Sequence, residues 1–264
     1  MTTDAKGEIL FERTKAPNAA AITAAISCFN YGREALEALN SLLAQTEDTI
    51  NVVITDDQSR DNSVALILEW LTTHQDNDKF ASVHLVRHLL NQGLSRSRNT
   101  ALSLVSTPYI FILDADNQLY PRALKVLREA LENSDCAMSY SLIEKFGSAR
   151  GISNTSPWMP ETFSYRNYID AMALIKTDVL RQLGGYRVMP NKFGWEDYDL
   201  WCSFVDHGLK GCYVPQILCR YRTHGGSMLR NFTNRFVTAE LESIRKDFEA
   251  HHKMQFFIGV SDFS

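Results

Sequence analysis

From Ala21 onward, short runs of β-forming residues alternate with stretches of helical periodicity. The strand candidates are Ile22 to Phe29, Ile50 to Asp56, Val83 to Arg87 and Tyr109 to Leu113. Between them, apolar residues recur at spacings of three and four in Arg33 to Ala44, Asn62 to Thr73 and Ser95 to Val105. This alternation is typical of a mostly parallel sheet flanked by helices, so it predicts an α/β fold.

The rest of the chain is less regular. A loop is expected from Phe146 to Pro160, a helix from Trp195 to His207, and an amphipathic helix from about Phe236 to His252. The predicted organisation is a tail over residues 1–17, one domain over 18–230 with halves 18–117 and 118–230, and a C-terminal helix and tail over 231–264. Chains of this length commonly fold around one α/β sheet, which favours a single domain.

Charge and hydropathy exclude several classes of protein. The 264 residues include 27 basic and 31 acidic side chains, giving a formal charge of -4, so nucleic acid is not an expected partner. Met1 to Pro17 lacks the apolar core of a secretion signal, and no run approaches the roughly 20 apolar residues of a membrane span. We expect a cytoplasmic protein without an integral membrane segment, and peripheral attachment at the inner membrane face stays open.

Polar residues follow the predicted strands where each one ends. The first strand leads to Asn30, the second to Asp56 and Asp57, and the fourth to Asp114 and Asp116. Ligands of parallel α/β sheets gather beyond the carboxyl ends of the strands, so these side chains should project to one edge. They are the first candidates for a functional site.

The pair Asp114 and Asp116 has two readings. Two carboxylates on one side of the chain repel each other, and Mg²⁺ or Mn²⁺ would match them while leaving positions for phosphate oxygens. An Asp-rich turn after a strand is equally consistent with the residues alone.

The other candidates also have plain structural alternatives. Asp56 and Asp57 could form an Asx turn or cap a helix, or could accept hydrogen bonds from a base or ribose. Arg98 lies near the start of a helix, where diphosphate is a natural ligand. The acids Glu196, Asp197 and Asp199 could complement a helix dipole, or one could be a general base. A lone histidine such as His224 is usually only a hydrogen-bonded residue.

Taken in order, these pieces resemble family-2 glycosyltransferases, an inverting group with the GT-A fold. The resemblance covers about Ala21 to Ser227. It rests on seven motifs in sequence: Phe29-Asn30, Asp56-Asp57-Gln58-Ser59, Asn91 to Asn99, Asp114-Ala115-Asp116, Gly184-Gly185-Tyr186, Gly194-Trp195-Glu196-Asp197 and His224. Departures from the family pattern are Ser97 for Ala, Tyr186 for Phe, and Ser27-Cys28 for Pro-Thr.

The resemblance implies a role for each motif. Residues 18–117 would bind a nucleotide diphospho-sugar, with UDP-sugar favoured, and residues 118–230 would carry the acceptor and catalytic groups. The implied donor-binding residues are Asn30, Asp56, Asp57, Arg98 and Asp114, with Asp57 at the base and Asp114 at the ribose. Asp116 and His224 would hold Mn²⁺ or Mg²⁺. Asp197 would be the general base beside Glu196, and the acceptor would be a carbohydrate or other hydroxyl. Polysaccharide assembly is associated with the family.

Two other functions stay open from the sequence. The run Phe111 to Asp116 also resembles the nucleophile strand of haloacid-dehalogenase-like phosphatases, which usually carry it near the chain start. A domain that binds nucleotide sugars without catalysis is the second alternative. Retention of both Asp116 and Asp197 favours an enzyme over that alternative.

Overall fold

The computed structural model describes residues 7–16, 19–189, 194–225 and 238–257. The strands are β1 (Gly7–Thr14), β2 (Ile22–Cys28), β3 (Ile50–Asp56), β4 (Phe80–His88), β5 (Tyr109–Asp114), β6 (Gln118–Leu119), β7 (Met138–Gly147), β8 (Gly151–Ser153), β9 (Ala173–Lys176) and β10 (Gly211–Thr223). The helices are α1 (Gly32–Leu43), α2 (Ser63–Thr73), α3 (Leu94–Leu104), α4 (Ala123–Glu132), α5 (Thr177–Gln182), α6 (Glu196–Asp206) and α7 (Thr238–His251), with a 3₁₀ turn at Pro160–Ser164.

Within the described ranges, the strands form one sheet in the order β1-β4-β3-β2-β5-β9-β7-β10-β6, with β8 paired to β7. The strands β4, β3, β2 and β5 run parallel. Nearly all their side chains are buried, because helices cover both faces. The predicted α/β fold with a mostly parallel central sheet is confirmed.

Each face of the sheet has its own apolar core. On one face, the apolar sides of α1, α2 and α4 pack against the strands. On the other face, α3, α5, α6 and α7 do so, with an aromatic group that includes Trp195, Tyr198 and Phe248. The final helix therefore belongs to the same packed unit as the sheet.

Three elements differ from the sequence predictions. Gly7–Thr14 lies within the predicted tail but forms β1, antiparallel to β4, because Leu10 and Phe11 pack on the core. The loop expected from Phe146 to Pro160 instead includes the end of β7 and the whole of β8, which pair as an antiparallel hairpin. Gly211 to Val214 and Ile217 to Arg222, which the sequence predicts as two separate β runs, form one strand, β10, whose pairing with β7 shifts register between Val214 and Ile217.

No helix in the described ranges is long and apolar enough to cross a membrane.

Candidate active site

The carboxyl ends of β2, β3 and β5 lie side by side. In the parallel register, Cys28 pairs with Asp56 and Ser27 pairs with Asp114. The residues that follow these strands therefore meet at one edge of the sheet, as the sequence predicted.

Asn30 and Asp56 shape the loops at this edge. Asn30 has a positive φ of 59°; its amide donates to Ser59 Oγ (2.9 Å), and its Oδ1 accepts from the amide of Arg60 (2.8 Å). Asp56 is fully buried and accepts from the amide of Ser59 (3.0 Å), which is an Asx turn. Asn30 thus ties the loop after β2 to the loop after β3, whereas the Asp56 side chain shapes the loop after β3 itself. Contact of either residue with a nucleotide sugar stays a prediction.

Asp57 holds the segment before α3 in place through hydrogen bonds. Its carboxylate oxygens accept from the amides of Gln92 and Gly93, each at 2.7 Å, and Oδ1 lies 2.7 Å from His88 Nδ1. The His88 ring is completely buried, and its Nε2 lies 2.9 Å from Thr100 Oγ1. A carboxylate has about four acceptor positions, so Asp57 keeps acceptor capacity beyond these three contacts. Sequence reasoning missed His88, although it directly follows the third predicted strand.

Arg98 is a buried cation between two acids. Its guanidinium donates to Glu196 (2.8 Å) and to Asp114 (3.0 Å), and it lies 5.2 Å from the centre of the Tyr186 ring. Burial alone would lower the pKa of Arg98, but the charges of Asp114 and Glu196 raise it overall, so the side chain stays charged. The structure therefore gives Arg98 a definite role, which is to join the end of β5 to the start of α6.

Asp116 and His224 form a second pair at this edge. His224 Nε2 lies 3.0 Å from Asp116 Oδ2 and 3.3 Å from the hydroxyl of Tyr31. Burial, and then the charge of Asp114, raise the pKa of Asp116. The two predicted metal ligands, 108 residues apart in sequence, are thus in contact.

A divalent ion fits this corner. No cluster of three or more His, Cys, Asp or Glu side chains suited to a metal occurs among the residues that the structure describes. However, Mg²⁺ in phosphate-transferring sites is commonly held by one or two protein groups, with substrate oxygens and water completing its shell. One carboxylate and one imidazole suit that arrangement.

Asp197 lies at the start of α6 and is partly exposed. Its Oδ1 accepts from the amide of Tyr198 (2.7 Å), and its Oδ2 accepts from Asn167 Nδ2 (3.0 Å). Burial, and then the charge of Glu196, raise the pKa of Asp197 to about 8. A carboxyl group with such a pKa is suited to take up a proton near neutral pH.

The neighbouring acids of α6 have different surroundings. Glu196 is buried against Arg98, and burial raises its pKa. Asp199, one of the three acids expected at the start of this helix, is in the first turn and buried. It pairs with Arg187 (2.5 Å) and His252 (3.1 Å). Asp199 is therefore a packing residue on the side of α6 that faces α7.

Besides His88, three residues at the site were not identified from the sequence: Asn167, Asp170 and Tyr221. Asp170 accepts from the amide of Met172 (2.9 Å), and burial, followed by the charge of Asp114, raises its pKa to about 6. Burial, and then the charges of Asp170 and Asp116, raise the pKa of the Tyr221 hydroxyl. The cleft between the end of β5 and the start of α6 thus holds more acidic and hydroxyl groups than the sequence motifs indicated.

Sequence similarity assigns the chain to a known family. The model of the family described as glycosyl transferase family 2 matches residues 23–193. WfaP of Escherichia coli, a UDP-Glc:alpha-D-GlcNAc-diphosphoundecaprenol beta-1,3-glucosyltransferase, is 24% identical over 240 residues, which cover 87% of this chain and 88% of WfaP.

Solved structures show the same fold. S. aureus TarS in complex with UDP-GlcNAc has a TM-score of 0.69 at 15% identity, covering 89% of this chain and 68% of the TarS chain. The mannosyltransferase PcManGT from Pyrobaculum calidifontis, in complex with GDP-Man and Mn²⁺, has a TM-score of 0.60 at 18% identity, covering 82% of this chain and 61% of that one. The fold is the GT-A type, and the phosphatase alternative is not favoured. The chain belongs to glycosyl transferase family 2 and is a glycosyltransferase.

Proposed function

We propose that the enzyme transfers a sugar from a nucleotide diphospho-sugar to an acceptor hydroxyl with inversion, and that Asp197 is the general base. The observation that carries this proposal is the environment of Asp197, a partly exposed carboxylate with a raised pKa beside the acid-lined edge of β5. Asn167 and the amide of Tyr198 fix its orientation. From there Asp197 draws the proton from the acceptor hydroxyl as that oxygen attacks the anomeric carbon.

A UDP-sugar is the favoured donor. WfaP is named for UDP-Glc and TarS was solved with UDP-GlcNAc, whereas PcManGT was solved with GDP-Man. In this proposal Asp57 accepts a hydrogen bond from the base, within the loop that Asn30 and Asp56 stabilise. Asp114, which is part-exposed and uses Oδ1 for Arg98, accepts from a ribose hydroxyl.

Asp116 and His224 would hold Mn²⁺ or Mg²⁺ against the diphosphate. When bound, the ion would neutralise charge that develops on the departing nucleoside diphosphate. Arg98 and Glu196 act through position: their ion pair sets the distance between the donor edge of β5 and the start of α6. A nucleotide-sugar-binding domain without catalysis is not favoured.

Calorimetric titration with UDP, with and without Mn²⁺, tests the donor site. Wild type should bind UDP more tightly with Mn²⁺, and Asp116→Ala should lose that difference. Asp197→Asn should keep it, since Asp197 is assigned to the acceptor. If wild type binds neither UDP nor GDP in the presence of Mn²⁺, the donor assignment is wrong.

A further inference from the structure

A basic cavity adjoins the acceptor half of the sheet. Its volume is about 500 Å³, and it lies where β7 turns into β8 beside β10. Three cations line it, Lys145, Arg150 and Arg220, against one acid, Glu144. The local formal charge is therefore +2, in a protein whose formal charge is -4. We call it the Arg150 cavity.

Arg220 forms the fixed wall of the Arg150 cavity. Its Nε donates to Glu144 (2.9 Å) and its Nη1 donates to Gln118 (2.8 Å), while the guanidinium stacks 4.3 Å from the centre of the Phe146 ring. These contacts neutralise Glu144 and hold the positive group in one orientation. A planar, preorganised guanidinium is well suited to bind phosphate oxygens.

Lys145 and Arg150 supply charge that the protein itself does not neutralise by contact. Neither side chain makes a hydrogen bond or salt bridge with another residue of the described ranges. Arg150 is exposed next to Gly151, and Lys145 is half-buried beside Phe146. Arg150 acts on Glu144 only through its charge and without a direct contact. Two cations free of direct ion pairs, converging on a concave surface with a fixed arginine, indicate an anionic ligand.

The position of the Arg150 cavity points to the acceptor. Gly147 packs so closely on β10 that a Cβ there would lie 2.5 Å from the carbonyl oxygen of Thr223, the residue before His224. Arg222 lies between the cavity and the Asp116–His224 pair. Its guanidinium is 4.6 Å from the centre of the Phe146 ring, and its Nε donates to the carbonyl oxygen of Asp116 (3.0 Å). In the sheet, β9 and β7 separate β10 from the donor strands.

We propose that the Arg150 cavity binds a phosphate or diphosphate group carried by the acceptor. The inference rests on the proposed function, because it takes the cleft beside β5 to be the donor site. Binding an anionic group here would leave the rest of the acceptor to extend past Arg222 toward Asp197. The enzyme would then select phosphate-linked acceptors over neutral sugars.

The first test is calorimetric titration with inorganic pyrophosphate in EDTA, so that no divalent ion can hold the probe at Asp116 and His224. The double variant Lys145→Ala, Arg150→Ala should bind pyrophosphate at least about tenfold more weakly than wild type. The control is Lys125→Ala, Lys210→Ala, which removes two exposed cations away from the cavity and should bind as wild type does. Equal affinity in the two variants, or no binding to wild type, would overturn the inference.

A second test separates the acceptor from a membrane surface. Phosphatidylcholine vesicles with and without phosphatidylglycerol are sedimented with wild type and with the Lys145→Ala, Arg150→Ala variant. Suppose that wild type binds the anionic vesicles, that the variant does not, and that neither binds pyrophosphate. The cavity would then be assigned to a lipid headgroup, and the acceptor assignment would be wrong. Mn²⁺-dependent UDP binding is measured on the same samples. Absence of Mn²⁺-dependent UDP binding in wild type would count against the proposed function. Presence of that binding together with no pyrophosphate binding would count against the cavity proposal alone.

Discussion

Glu196 and Asp197 are neighbours in sequence with different tasks. Glu196 is turned inward onto Arg98, and Asp197 is turned toward Asn167 and the cleft. A general base must be deprotonated to act, and burial has raised the pKa of Asp197 to about 8. We therefore expect kcat/KM to rise as the pH rises toward 8 and to level off above it.

The measurement is the pH profile of kcat/KM for wild type, compared with Asp197→Asn. The variant should lose roughly 10²- to 10⁴-fold in kcat and should lose the rising limb as well. A limb that stays near the ordinary pKa of an aspartate, or persists in the variant, would remove Asp197 from the role of base.

Arg98 is the residue on which the acid-rich cleft depends for stability. Replacing it with Gln leaves Glu196, which is 3% exposed, without its cation. Breaking a buried ion pair from one side typically costs about 3–5 kcal/mol. Arg98→Gln should therefore lower the free energy of unfolding by that order, as measured by urea denaturation.

The matched control is Arg96→Gln in the same helix, where the side chain is partly exposed and the expected change is within about 0.5 kcal/mol. Similar losses in the two variants would show that α3, and not the ion pair, is being weakened.

At the scale of elements, α7 is held against α6 by ion pairs as well as by aromatic packing. His252, just after α7, lies 3.1 Å from Asp199 and 2.8 Å from Asp206. Burial alone would lower the pKa of His252, but the two carboxylates raise it overall. The stabilisation is fully present below the unfolded pKa of about 6.5 and is lost as the pH rises through the folded value.

Hydrogen exchange of Thr238–His251 measures this effect. Protection should fall as the pH rises past the folded pKa of His252, after correction for the intrinsic pH dependence of exchange. In His252→Gln that corrected dependence should disappear. A dependence unchanged in the variant would point to another titrating group in the same contact.

The elements also show what could be predicted from the sequence. The parallel strands β2, β3 and β5 and the acids at their ends were predictable. A buried run of branched residues predicts a parallel strand, and an Asp or Asn at its end predicts a polar group at the carboxyl edge of the sheet. Asp170 was not, because it precedes β9. That strand is antiparallel to β5, so its amino end lies at the edge where the parallel strands end. Strand direction depends on long-range pairing, which local patterns do not record.

The molecule as a whole brings Asp116, from the end of β5, against His224, from the end of β10, through the β6–β10 and β7–β10 pairings. A ligand bound by both residues links the two halves of the chain and stabilises only the folded state. At a hundred times its dissociation constant, such a ligand adds about 2.7 kcal/mol to the free energy of unfolding. UDP with Mn²⁺ should therefore raise the melting temperature of wild type more than UDP alone.

His224→Ala separates this linkage from simple binding of the nucleotide. The variant keeps Asp57, Arg98 and Asp114, so UDP alone should shift its melting temperature as it shifts that of wild type. The additional shift from Mn²⁺ should be lost, because one of the two proposed metal ligands is gone. An undiminished Mn²⁺ effect would mean that the ion is held elsewhere, and the contact between Asp116 and His224 would then serve only to join β10 to the end of β5.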